Sequence, residues 1–235
     1  MQYSNIVVLT GAGVSAESGL KTFRDNNGLW ENHHVEEVAT PEGFARNPAL
    51  VYRFYNERRQ QLQSAGVAPN AAHYALADLA KHADITLTLV TQNVDNLHER
   101  AGSVEVLHMH GELLSARCLN SQQRVKVTEA FDASDRCQCC HPAHGLRPDI
   151  VWFGEMPQYM DQIETALWHC DLFLSIGTSG NVYPAAGFVQ LAVSAGAHCV
   201  ELNLEPSAGQ NLFSEHHYGV ASKIVPAYLQ NLLQN

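Results

Sequence analysis

The run "IVVLTGAG", Ile6 to Gly13, constrains the fold more than any other stretch: four aliphatic residues and a threonine end on two glycines that flank an alanine. A continuous apolar run of this kind reads as a strand buried on both faces, the usual state of a strand in a parallel sheet. Glycines at its carboxyl end let backbone N–H groups approach an anion without a Cβ in the way. Such a turn opens the dinucleotide-binding fingerprint, with Ala16 in the third small position. The fingerprint also requires a second strand ending in an acidic residue about 20 positions on. Here "KTFRDNNGLWENHHVEEVATPEG", Lys21 to Gly43, is polar and broken by Gly and Pro, and the next strand signal is "ITLTLV", Ile85 to Val90. A hydride-transferring dehydrogenase therefore lacks its ribose-binding carboxylate. On this motif alone, a glycine turn that only joins strand to helix stays open.

Further strand-like runs are "VEVLHMH", "DIVWF", "DLFLSIG" and "HCVELNL". Helical patterns alternate with them: "NAAHYALADLAKH", "MDQIETALWHC", "YPAAGFVQLAVSAG" and "VPAYLQNLLQ". The alternation predicts an α/β fold, a Rossmann-like parallel sheet with helices on both faces. Two stretches stand outside it. Residues 25–69 contain a helix start at Asn47-Pro48, an N-cap followed by proline in the first turn. Residues 112–148 carry cysteines and little helical or strand regularity. The predicted division is a Rossmann-like domain over 1–24, 70–111 and 149–235. A smaller domain over 25–69 and 112–148 is made of a helical insertion and a zinc-ribbon-like insertion.

The chain has 24 acidic and 14 basic residues, a net charge of -10, and no basic run to follow a phosphate backbone, so nucleic acid is not an expected partner. No apolar stretch is long enough for a bilayer and no signal peptide precedes Ile6, which predicts a cytoplasmic protein with no membrane partner. Six cysteines, three of them at 137, 139 and 140, point to metal in a reducing compartment rather than to disulfides.

Four strand ends carry the polar residues: "LTGAG", "VTQNVDNLH", "SIGTSGNVYP" and "ELNLE". Polar groups past the carboxyl ends of parallel strands converge on one crevice, where open α/β sheets bind ligands. Gln92, Asn93 and Asp95 offer amide donors, amide acceptors and a carboxylate within four positions, enough to hold a ribose and a carboxamide together. The same residues also suit a helix start, where Asn93 or Asp95 would cap the first N–H groups. "HMHGEL" places His108 and His110 on one side of an extended segment, with Gly111 permitting close approach behind them. A histidine near its reference pKa of about 6.5 can take a proton from a sugar hydroxyl. Most of the 13 histidines should be ordinary surface or core residues. No Gly-x-Ser-x-Gly elbow supports a hydrolase triad.

"GAGVSAESGLKTFR", "TQNVDNLH", "HMHGEL", "LRPDIVWFGE" and "GTSGNVYPAAGF" together resemble the sirtuins, NAD-dependent protein-lysine deacylases, of the bacterial CobB type. The five motifs occur in the family's order and cover almost the whole chain. The resemblance implies that NAD is a co-substrate, consumed and not reduced. It implies that Gly11, Ala12 and Gly13 hold the pyrophosphate and that Phe23 and Arg24, with Trp30, fold over the nicotinamide end. Gln92, Asn93 and Asp95 match positions that hold nicotinamide and its ribose. Gly177, Thr178, Ser179 and Asn203 match contacts on the adenosine side, with Glu205 and Ala221 nearby. The missing carboxylate is thereby explained, since another strand end binds that ribose.

By the same resemblance the acyl-lysine oxygen attacks the anomeric carbon as nicotinamide departs, giving an imidate. His110 then accepts the proton of the ribose hydroxyl that attacks it, and water completes transfer of the acyl group to ADP-ribose, releasing the lysine amine. His110 and Asn93 are the implied catalytic residues. Bulk water must be kept from the cationic stage, a shielding role for Phe23, whose alternative is core packing. Tyr55 and Arg58, three positions apart on one helical face, match the Tyr-x-x-Arg pair of sirtuins that remove succinyl or malonyl groups. The alternative for Arg58 in "NERRQQ" is a solvated charge. Val151, Phe153, Gly154 and Glu155, with "GNVYP", match the two edges between which sirtuins bind peptide as an added strand, so acylated lysines of many proteins are the expected partners.

The metal module departs from the family's two Cys-x-x-Cys pairs, because Cys118 is followed by Ser121 in the second place. Cys118, Cys137 and Cys140 are the expected ligands of a structural zinc, with Cys139, His141 or His144 as the fourth; a weak or absent zinc stays open. Two rival functions remain. A mono-ADP-ribosyltransferase would leave ADP-ribose on protein. A non-catalytic NAD or ADP-ribose sensor would turn over nothing, and retention of His110 and Asn93 argues against it.

Overall fold

The structure, a computed structural model, describes residues 3–20, 29–30 and 33–234. Strand β1 (Asn5–Thr10) is followed by two short paired strands, β2 (Leu29–Trp30) and β3 (His33–His34), and by helices α1 (Val35–Val38), α2 (Pro41–Arg46) and α3 (Pro48–Leu62). Then come α4 (Ala71–Leu79), β4 (Thr86–Thr91), α5 (Leu97–Arg100), β5 (Val106–His108), β6 (Gly111–Cys118), β7 (Arg124–Lys126) and β8 (Leu146–Ile150). The chain continues through α6 (Met160–His169), β9 (Leu172–Ile176), α7 (Phe188–Ser194), β10 (His198–Asn203), β11 (Glu215–Tyr218) and α8 (Ala221–Gln234).

Six parallel strands form the main sheet in the order β11-β10-β9-β1-β4-β5. Side chains alternate across a strand, and in β1 both faces are apolar. Ile6 and Val8 pack with Leu76 and Leu79 of α4 and Val225 and Leu229 of α8. Val7 and Leu9 pack on the opposite face with Ile163 and Leu167 of α6 and Phe188 and Val189 of α7. Each such side chain contributes about 1.5–3 kcal/mol by leaving water. This two-sided burial is why β1 carries no polar position between Asn5 and Thr10. The neighbours of β1 are β4 on one side and β9 on the other, so the connections diverge there and leave a crevice above its carboxyl end. No helix among the described residues is long and apolar enough to cross a membrane.

Beside this sheet, β7, β6 and β8 make a three-stranded antiparallel one. Helix α3 begins as its sequence predicts: Asn47 Oδ1 accepts the Leu50 N–H at 3.1 Å, and Pro48 occupies the first turn. Its apolar side, including Val51, Phe54 and Tyr55, packs on Leu113 and Trp152, while Tyr52 joins Phe131, Cys118 and Cys137.

The structure corrects the sequence reading here. The predicted strand "DIVWF" is β8, Leu146–Ile150, and it belongs to the antiparallel sheet. It stops at Ile150 because the next residues turn to other partners: Val151 N–H donates to His110 O and Phe153 N–H to Ala39 O, both at 2.9 Å. Residues 112–148 are more regular than expected, since β6 is eight residues long. Its polar Glu112, Ser115 and Arg117 obscured a strand whose Arg117 is ion-paired with Asp149 and Glu155. Edge strand β11, "EHHY", was not anticipated either; it has no apolar run because half of it faces solvent.

Candidate active site

A cavity of about 680 Å³ opens above the carboxyl ends of the central strands, and the four polar strand ends meet in it. Gly11, Ala12 and Gly13 line it beside Gly177, Thr178 and Ser179. The glycines also serve a purpose the sequence did not suggest. Gly11 N–H donates to Ile176 O at 2.9 Å and Gly13 N–H to Gly177 O at 2.8 Å, so neither is a free anion donor. What requires glycine is the contact between two loops. Gly177 has a φ of +64°, and a Cβ there would sit 2.4 Å from Val14 N. Gly177→Ala is accordingly expected to separate the loops and weaken ADP-ribose binding at least tenfold, measured by calorimetry, with a smaller change for acyl-peptide. Unchanged ADP-ribose affinity would contradict this placement.

The loop after β4 supplies the next group. Gln92 Nε2 donates to Thr178 Oγ1 at 2.9 Å, tying this loop to that of Gly177–Ser179. Asn93 Nδ2 donates to Gly11 O and Ser15 Oγ, both at 3.2 Å. Asp95 Oδ1 accepts the Leu97 N–H at 3.0 Å and Oδ2 the Ser15 hydroxyl at 3.1 Å. The capping role for Asp95 is thus realised, while the residue also lines the cavity. Burial raises its carboxyl above the ordinary range, against the opposing pull of the Leu97 and Ser15 bonds. Ser15 was missed by sequence reasoning. It joins Asn93, Asp95 and His73 from inside the run "GVSAES", where a serine among small residues gave no individual signal.

His110 faces this cavity. Its Nδ1 lies 3.1 Å from Gln92 O, which can only accept, so Nδ1 carries the proton and Nε2 the lone pair. Burial pushes its pKa below the ordinary 6.5, opposed by the Gln92 bond. The ring is a neutral base at pH 7. His108, two residues earlier, is no candidate. Its Nδ1 meets Asn93 O at 3.1 Å and its Nε2 meets Glu99 Oε1 at 2.7 Å, inside the protein. Burial disfavours its charge, but Glu99 overrides this and its pKa is raised.

Asn203 Nδ2 donates to Thr178 O at 2.7 Å, fixing the loop it was expected to share with the adenosine, and Glu205 and Ala221 complete that end. Val151, Phe153, Gly154 and Glu155 form one lip of the mouth, and Asn181, Val182 and Tyr183 the other. Phe153 and Tyr183 are 50% and 79% exposed, which leaves apolar surface at an open rim. Phe23 and Arg24 lie outside the described residues, as does the side chain of Trp30.

Arg58 lines the cavity, stacked 4.4 Å from the Phe54 ring centroid. Tyr55 does not reach the cavity wall as expected. It is fully buried, and its hydroxyl accepts the Trp152 indole N–H at 3.0 Å. Three residues of helix turn through about 300°, so the two side chains diverge by some 60° and only one meets the opening.

A model of the Sir2 family matches residues 11–184. The chain belongs to the Sir2 family. It is 64% identical over 228 residues, 97% of each chain, to a Pasteurella multocida (strain Pm70) protein named NAD-dependent protein deacylase. Its fold matches a Sir2 homologue in complex with NAD at a TM-score of 0.88 and 35% identity, over 99% of this chain and 90% of the other. A Sir2 mutant with a p53 peptide and NAD matches at a TM-score of 0.80 and 27% identity, covering 99% and 95%.

The cysteine-bearing part of this Sir2 protein brings Cys118, Cys137, Cys139 and Cys140 together, their sulfurs all within 4.8 Å of one another. The fourth thiol is Cys139; neither His141 nor His144 belongs to the group. Zn–S bonds of about 2.3 Å in a tetrahedron require S···S edges of about 3.8 Å. The Cys118–Cys140 and Cys139–Cys140 separations are 3.7 and 3.8 Å. The donor set therefore fits zinc, which would supply cross-linking between β6 and the 137–140 loop, not catalysis. One zinc per chain is expected by elemental analysis, and its chelation should lower the melting temperature by on the order of 5 °C. A metal-free protein with the same melting point would contradict this.

Proposed function

We propose that the protein is an NAD-dependent protein-lysine deacylase that removes acetyl and acidic acyl (succinyl, malonyl) groups, releasing nicotinamide and O-acyl-ADP-ribose. The observation that carries the reading is His110: a neutral imidazole, its Nδ1 proton held by Gln92 O, shares one cavity with the Gly11–Gly13 turn and an open apolar rim. That is the geometry a base needs to take a proton from a sugar hydroxyl while the acyl-lysine enters from the mouth.

In this reading the turn and the Gly177–Ser179 loop hold the pyrophosphate and adenosine, with Asn203, Glu205 and Ala221. Gln92, Asn93 and Asp95 hold nicotinamide and its ribose, positioned by Ser15. Phe23, Arg24 and Trp30 cover the nicotinamide end. The two lips bind the substrate backbone as an added strand, so peptide sequence matters little and substrates are many. Arg58 receives the carboxylate of a succinyl or malonyl chain, and Tyr55 acts through Trp152 as the wall behind it. The NAD-binding unit comprises residues 1–24, 70–111 and 149–235, and the smaller unit 25–69 and 112–148, with the antiparallel sheet crossing between them. The protein works in the cytoplasm. The relative from Pasteurella multocida bears the corresponding name.

Incubation with NAD and an acetyl-lysine peptide tests the reading. Deacetylated peptide, nicotinamide and O-acetyl-ADP-ribose should appear together. ADP-ribose attached to protein, or no turnover, would replace it with a transferase or a sensor.

A further inference from the structure

The lip formed by Val151–Glu155 has few backbone bonds of its own. Beyond the Val151 and Phe153 contacts above, a turn from Glu155 N–H to Trp152 O at 2.9 Å is its internal closure. Gly154 sits at a φ of +90°, a conformation that stiffens nothing by itself. An added strand gains affinity only if the edge it pairs with already has its shape. The lip is held instead by side chains outside it: Tyr55 at the Trp152 indole, Arg117 at Glu155 and, with the most contacts, Arg147.

Arg147, in β8, touches the residue just before the segment, Trp152 within it and Glu155 at its end. Its Nη2 donates to Ile150 O at 2.9 Å, and its guanidinium lies 3.4 Å from the Trp152 ring centroid. Its Nη1 and Nη2 donate to the two Glu155 carboxylate oxygens at 2.7 and 2.9 Å. Glu155 Oε2 also accepts the Trp152 N–H at 2.9 Å and Arg117 Nη2 at 3.3 Å. Arg117 is the ladder partner of Arg147 across β6 and β8. Two cations facing each other in a strand pair repel unless carboxylates stand between them. Glu155 is one and Asp149, 3.8 Å from Arg117 Nε and 3.0 Å from Arg124 Nε, is the other. Burial opposes the Glu155 charge, yet these donors hold its pKa below the ordinary range. Arg147 is not part of the cavity wall.

We propose that Arg147 is a positioning residue for the acylated substrate: by gripping Glu155, Ile150 and Trp152 at once it presets the lip that the peptide backbone pairs with. The proposal rests on the lip being the peptide edge. It assigns Arg147 no contact with NAD, so its loss separates the two substrates. A lysine keeps the charge but is a point donor that cannot bridge both carboxylate oxygens, the carbonyl and the indole face.

The test compares wild type, Arg147→Lys and Arg117→Lys. For Arg147→Lys the KM for an acetyl-lysine peptide should rise about 10- to 100-fold, the scale expected when a reacting group is displaced by a distant change. The KM for NAD and kcat should stay within about threefold. Calorimetric affinity for the same peptide should fall in parallel, and ADP-ribose affinity should hold. Arg117 lies outside the cavity wall and donates to Glu155 Oε2 and Ile150 O, both at 3.3 Å, so Arg117→Lys should show the same split to a smaller degree even if the Arg147 variant fails to fold. Equal losses for peptide and NAD, or an unchanged peptide KM, would overturn the proposal. Wild-type protein that binds peptide without turnover would sink the deacylase reading, while the binding comparison would still decide the role of Arg147.

Discussion

His110→Ala should lower kcat for acyl transfer by about 10²- to 10⁴-fold, the usual contribution of a positioned base. The same variant should still release nicotinamide when NAD and acyl-peptide are present, because His110 acts after the glycosidic bond has broken. Nicotinamide exchange measured with labelled nicotinamide separates the two steps. Loss of exchange equal to loss of product would show that His110 does something earlier. The pH dependence carries a sign. The base must be unprotonated, and burial has pushed its pKa below 6.5. For the wild type, kcat/KM should therefore be flat near pH 7 and fall as pH drops through a value below 6.5. A limb centred above 7 would contradict the neutral imidazole inferred from the Gln92 bond.

Arg58→Met should reduce kcat/KM for a succinyl-lysine peptide about 100-fold or more while acetyl-lysine activity changes by about threefold or less. The expectation comes from where the guanidinium stands. Its side chain is 15% exposed, and among the described residues its ion pair is with the neighbouring Glu57 at 3.2 Å, whose side chain is 51% exposed. Such adjacent, solvated pairs contribute little. Nε and Nη1 are buried with no hydrogen-bond partner among the described residues. Buried donors without acceptors are costly, and a substrate carboxylate entering from the cavity would satisfy them. Methionine keeps the packing against Phe54 and removes the donors. Equal loss of acetyl and succinyl activity would mean that Arg58 supports the wall rather than selects the acyl group.

What could be read in the sequence follows from which residues act through pattern and which through pairing. β1 was legible because two-sided burial leaves an unbroken apolar run, and the four polar strand ends were legible because each interrupts such a run. His110 stood out beside Gly111, and the close approach expected there is present: a Cβ on Gly111 would lie 2.0 Å from Asp149 O. Strand β6 escaped because the charge of Arg117 is neutralised by Asp149 and Glu155, more than about 30 positions further on. Ser15 escaped for a related reason. A hydroxyl in a run of small residues acquires meaning only when Asn93 and Asp95 are folded against it. Cys139 was one of three candidates for the fourth zinc ligand, and the fold selects it over His141 and His144. The glycine turn was located correctly but for an incomplete reason. Its amides are committed to Ile176 and Gly177, and glycine is required for loop packing.

The most direct measurement follows the fate of the acyl group by mass spectrometry in the presence of NAD, using acetyl- and succinyl-lysine peptides with wild type and His110→Ala. The account predicts that wild type moves the acyl mass onto ADP-ribose, one nicotinamide released for each lysine uncovered, and that the variant does not. Acyl groups released as free acid without NAD, or found still on lysine while ADP-ribose accumulates on the protein, would contradict it.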